Sequence, residues 1–158
     1  MKASLRPRQP NVGTASHTYD MRTLGNIIWL VFAGFWMALA YAIAGIVMFI
    51  LIITIPFGIA AFRMAGYALW PFGRTVVSKP TSGVMSGIGN VIWFILAGLW
   101  IAIGHIITGV ILCIFIITIP FGIASFKMAG LALFPLGKEI VPLNQAPAGQ
   151  YTVVPIGK

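Results

Sequence analysis

The chain has 158 residues, 59% of them hydrophobic and only 8% charged, with a net charge of +8. A soluble domain carries about 25% charged residues, so this composition excludes one. The surplus of Lys and Arg does not make a nucleic-acid protein either: the basic residues sit at the edges of apolar runs instead of clustering on a soluble face.

In chain order, residues 1–20 form a basic N-terminal arm with Lys2, Arg6 and Arg8, read as flexible. Residues 23–62 then pass without a charged side chain, and so do residues 80–126. Each run far exceeds the ~20 apolar residues that cross a bilayer once. The first run is too long for the 7–15-residue apolar core of a signal peptide, so it is expected to be retained. The single cysteine, Cys113, excludes an intrachain disulfide and reads as a small buried apolar side chain.

The chain repeats itself. Residues 25–77 align without a gap to residues 89–141, and 29 of the 53 positions are identical. "IITIPFGIA" occurs unchanged at residues 52–60 and 116–124. The organisation is a membrane repeat at 21–77, a cytoplasmic linker at 78–88, a second membrane repeat at 89–141 and a C-terminal tail at 142–158. As helix, residues 26–66 would run roughly 60 Å, about twice a hydrocarbon core. Two crossings per repeat also place every Lys and Arg on one side, as the positive-inside rule asks.

The expected fold is all-α integral membrane: four transmembrane helices from two tandem hairpin repeats, with spans near 26–44, 46–66, 90–108 and 110–130. The turns fall near 41–45 and 105–109, and both termini are cytoplasmic. The two hairpins are then parallel repeats about an axis along the membrane normal. A repeat that crosses once and continues as a re-entrant or interfacial segment stays open.

In this reading Pro56 and Pro120 lie inside the second helix of each hairpin and break it. Each removes a hydrogen bond and crowds the carbonyl four residues back, at Ile52 and Ile116. Thr54 and Thr118 stand two residues ahead of the prolines, Gly58 and Gly122 two behind. The weak point is expected either to bend statically or to gate, its freed carbonyls offering an ion contact. Arg63 and Lys127 occupy matched positions. They read as cations snorkelling to headgroups or as a basic ring at the inner mouth of a pore.

Of the other polar residues, His105 answers Tyr41 across the repeats. It is a candidate intramembrane site or a hydrogen-bonded histidine near a helix end. Asn26 and Asn90 read as helix N-caps. Trp29 and Trp93 read as interfacial anchors, while Trp36 and Trp100 lie too deep for that and are expected between helices. Gly34 with Ala38 and Gly98 with Ala102 are small pairs that allow helices to approach. The apolar segments contain no carboxylate, and no catalytic set, metal-ligand cluster or phosphate loop is present in the sequence, so neither an enzyme nor a cofactor is expected.

The duplicated "NIIW" and "NVIW", "IPFGIAAFR" and "IPFGIASFK", and "WPFGR" and "FPLGK" resemble the YccF family over about residues 21–141. That resemblance implies a bacterial inner-membrane protein of two small membrane domains with four transmembrane regions. It implies no settled biochemical function. The functional expectation is an oligomeric channel or transporter component for ions or small solutes, in contact with the lipid bilayer and as a homo-oligomer. The alternative is a non-transporting scaffold or accessory subunit.

Overall fold

The structure, a computed structural model, describes residues 12–80, 83–147, 149 and 151–153. The basic residues Lys2, Arg6 and Arg8 lie outside it.

The fold is all-α and membrane-integral in its bulk: two helical hairpins in tandem, each followed by a short strand. In the first, α1 (Val12–Trp29) runs through a π-helical stretch at Leu30–Gly34 into α2 (Phe35–Ile50) without interruption. A bend at Leu51 and a 3-10 turn at Ile52–Thr54 lead into α3 (Ile55–Leu69), and β1 (Arg74–Ser78) follows. The second hairpin repeats this plan with α4 (Val84–Trp93), a π stretch at Phe94–Gly98, α5 (Leu99–Ile114), a 3-10 turn at Ile116–Thr118, α6 (Ile119–Leu133) and β2 (Lys138–Pro142). β3 (Tyr151–Val153) comes last. Three helical segments, Tyr19–Ile50, Val84–Ile114 and Ile116–Leu133, are long and apolar enough to cross a membrane; Ile55–Leu69 is shorter.

The hairpin turn is not where length arithmetic placed it. Residues 41–45 and 105–109 are helical, and the chain reverses at Leu51–Thr54 and Phe115–Thr118. Nor do the prolines break the second helices. Pro56 and Pro120 sit in the first turn of α3 and α6. An N–H there has no intrahelical partner and the pyrrolidine ring has no preceding turn to strike, so proline begins a helix without penalty. The break foreseen inside a helix is the start of one.

The tails also carry structure that composition did not suggest. The helix begins at Val12, inside the arm read as flexible, and the C-terminal segment contributes a 3-10 turn at Leu143–Gln145 and β3. The strands form one sheet in the order β2-β1-β3, both pairings antiparallel. Gly73 and Gly137 turn the chain into β1 and β2 with φ of +93° and +78°, a conformation that costs glycine little.

Within each hairpin the helices pack closely at glycine. A Cβ on Gly58 would lie 3.1 Å from the Gly45 carbonyl, and one on Gly122 would lie 2.8 Å from that of Gly109. Between hairpins, Met37 of α2 rests on Gly104 of α5, and the Tyr41 and His105 rings meet at 5.9 Å. Further contacts fix the mutual direction. Phe57, near the turn of the first hairpin, presses on Gly89 at the base of the second. Phe72, at the base of the first, meets Phe121, near the turn of the second, at 5.6 Å. The hairpins therefore pack head to tail, each turn beside the other's base.

Candidate functional site

Trp29 and Trp93 are fully buried, unlike interfacial anchors. Their indole N–H groups donate to the Ala68 and Ala132 carbonyls at 2.7 Å. Those carbonyls stand at the ends of α3 and α6, where the helix itself offers no donor. Gly34 and Gly98 make the approach possible, since a Cβ on either would fall within 3.0 Å of both the indole and the carbonyl. Each tryptophan immediately precedes its π stretch, in which Phe35 N–H reaches Leu30 O and Leu99 N–H reaches Phe94 O. Trp36 and Trp100, expected between helices, are instead 64% and 67% exposed on the outer face.

Asn26 and Asn90 are mid-helix and cap nothing. Asn26 accepts the Phe72 N–H at 2.9 Å and donates to the Phe72 carbonyl at 3.0 Å. Asn90 does the same for Leu136, at 2.9 and 3.1 Å. A carboxamide, carrying donor and acceptor together, thus ties the loop after each second helix to the first.

The candidate gate residues form two copies of one turn. Thr54 Oγ1 lies 2.7 Å from both the Met48 and Leu51 carbonyls. Thr118 Oγ1 contacts the Leu112 carbonyl and, at 3.0 Å, that of Phe115. These threonines satisfy the C-terminal carbonyls of α2 and α5. The carbonyls anticipated as free, at Ile52 and Ile116, accept the N–H of Ile55 and Ile119. Gly58 and Gly122, one turn into α3 and α6, are buried contact points. The turn residues Thr54, Pro56, Thr118 and Pro120 are thus brought together with their glycines, but in two separate places.

Arg63 and Lys127 are elsewhere. Arg63 is exposed and donates to the Lys138 carbonyl on β2 at 3.3 Å, so it ties α3 to the sheet. Lys127 is half-buried on α6.

His105 is buried where the hairpins cross, not near a turn. Ser125 Oγ donates to the His105 carbonyl at 2.7 Å and lies 3.3 Å from His105 Nδ1. With the serine proton spent on the carbonyl, Nδ1 carries the hydrogen and Nε2 is left as a bare acceptor. Nε2 and the neighbouring Tyr41 hydroxyl are both buried without a partner among the described residues. Ser125 was not singled out in the sequence. Its replacement by Ala61 in the first repeat, alongside Tyr41 for His105, was the available signal. Among the described residues no group of three His, Cys, Asp or Glu could hold a metal.

The same features recur in known proteins. The YccF family profile, an inner membrane component domain, matches residues 24–74 and 88–138. The chain belongs to the YccF family. It is 34% identical over 139 residues to inner membrane protein YccF of Escherichia coli (strain K12), covering 82% of this chain and 94% of that protein. The YccF protein of Shigella flexneri matches to the same extent. No solved structure matches. The two YccF matches fall on the two hairpins, and each contains one asparagine tie, one buried tryptophan and one apolar turn.

Proposed function

We propose that this YccF protein serves as a non-transporting scaffold or accessory subunit of the inner membrane. The observation that carries this reading is the use made of the candidate gate residues. Thr54, Pro56, Gly58 and their mates are spent on closing turns and packing helices. Apolar side chains such as Met37 and Phe57 pack between the hairpins. Of the buried polar side chains, Asn26 is committed to Phe72 and Ser125 to His105. A pathway for ions draws on rings of carbonyls or charged side chains lining a pore, and Asn26 and Ser125 are instead committed to backbone partners within the fold.

A second reading, an oligomeric channel or transporter component for ions or small solutes, draws on a different observation. Tyr41 hydroxyl and His105 Nε2 are both buried without a partner among the described residues, on rings whose centroids lie 5.9 Å apart, and intramembrane ionisable groups are commonly functional. Reconstitution separates the two. A scaffold gives no ion or solute flux above empty vesicles and co-purifies with a defined larger partner. Flux from a purified homo-oligomer, changed by His105→Leu or by Arg63→Ala with Lys127→Ala, would establish the second reading instead.

A further inference from the structure

The two turns between helices are strongly apolar and strongly exposed. Ile52 is 76% exposed, Ile116 84% and Ile117 88%. A turn facing water is ordinarily built from Gly, Asn, Asp, Ser or Pro. These contain isoleucine, leucine and phenylalanine with a single threonine each, and that threonine is turned inward onto backbone carbonyls. The Leu51 N–H goes to Val47 O, the Thr54 N–H to Leu51 O and the Thr118 N–H to Phe115 O. Pro56 and Pro120 carry no N–H at all, at positions where one would be orphaned. A reversal that turns its polar side chain inward and presents apolar side chains outward suits a hydrocarbon surrounding.

The sheet fixes the orientation. β1 and β2 pair with Val76 opposite Ile140, and these are matched positions of the repeat, 64 apart. The pseudo-two-fold axis therefore passes between them, perpendicular to the sheet. It also passes between Tyr41 and His105, another matched pair in contact. Along this axis the sheet lies to one side of the hairpin crossing. An axis in the membrane plane would put the sheet at mid-depth, with exposed Arg74 and Glu139 and the open edges of β2 and β3 in hydrocarbon. Open edges and unpaired charges are excluded there. With the axis along the membrane normal, the sheet and the Arg63 guanidinium that reaches it lie at one surface.

That orientation limits depth. Matched residues share a height along the axis, so Gly89 is level with Gly25, at a hairpin base. Phe57, only a few residues past a turn, touches Gly89. The turn is therefore not a full hairpin length below the base: the hairpins are steeply inclined. We propose that both hairpins insert from the face that bears the sheet and end in hydrocarbon. The partner of Ile52, Ile116 and Ile117 is lipid acyl chain, and neither turn reaches water on the far side.

Single-cysteine variants of the full chain on a Cys113→Ala background test this. Ile52→Cys, Ile117→Cys and the exposed Asn144→Cys would be treated with a charged, impermeant maleimide in right-side-out and inverted inner-membrane vesicles. Asn144→Cys should react from one side only. Ile52→Cys and Ile117→Cys should react from neither until detergent is added. Both isoleucines are exposed, so replacing them removes no packing. Spin labels at the same two positions give a second readout: collision with oxygen and not with a soluble nickel chelate. Labelling of both turns from the side opposite Asn144 would overturn the proposal in favour of full crossings. Labelling of the two turns from opposite sides would overturn it in favour of inverted repeats.

Discussion

The indole N–H of Trp29 closes on the Ala68 carbonyl at 2.7 Å inside a fully buried contact, and Trp93 repeats it on Ala132. Trp29→Phe keeps most of the ring volume and leaves the carbonyl without its partner. A buried polar group left unpaired costs about 1–3 kcal/mol. Thermal unfolding in mild detergent should show a lower midpoint for Trp29→Phe and Trp93→Phe. Trp36→Phe and Trp100→Phe, on the exposed face, should leave it unchanged.

Much of this was legible in the sequence and some was not. The membrane class, the duplication and the hairpin in each repeat follow from charge-free runs and gapless identity. An apolar turn carries no polar marker, so the sequence does not locate it. Thr54-Ile55-Pro56 reads equally as a broken helix or a beginning one, and periodicity does not separate them. The tryptophans were inverted because depth along a helix says nothing of which face a side chain takes. The sheet had a signal, β-branched "RTVV" and "KEIV" after a glycine, that the surrounding hydrophobicity obscured. The meeting of Tyr41 with His105 depends on how the hairpins cross, and no local pattern encodes that.

The asparagine ties need both halves of the carboxamide. Asn90→Asp retains an acceptor for the Leu136 N–H but removes the donor to its carbonyl, with a loss of about 1–3 kcal/mol. Asn90→Leu removes both. Urea unfolding in detergent should rank wild type above Asn90→Asp, and Asn90→Asp at or above Asn90→Leu, with the same order at Asn26.

Glycine is required at the helix contacts and optional on the outer face. Gly122→Ala would place a methyl 2.8 Å from the Gly109 carbonyl, and overpacking of this kind costs about 1–3 kcal/mol. Gly130→Ala, with nothing within 4 Å, should be neutral or stabilising by about 0.5–1 kcal/mol through helix propensity. Midpoints from the same thermal assay decide between these outcomes.

The turn threonines act through their hydroxyls. Thr118→Val preserves shape and frees the Leu112 and Phe115 carbonyls, so it should lower the thermal midpoint, while Thr118→Ser should restore most of it. Equal behaviour of the valine and serine variants would show that the hydroxyl is not the stabilising group.

The head-to-tail packing of the hairpins is tested most directly by crosslinking in native membranes on a Cys113→Ala background. Phe57 and Met85 line one groove between the turn of the first hairpin and the base of the second. Phe57→Cys with Met85→Cys should therefore join within one chain on treatment with a short thiol-reactive crosslinker, whereas Ile52→Cys with Ile116→Cys should not. The reverse pattern, with turn joined to turn and no link from Phe57→Cys to Met85→Cys, would contradict the arrangement.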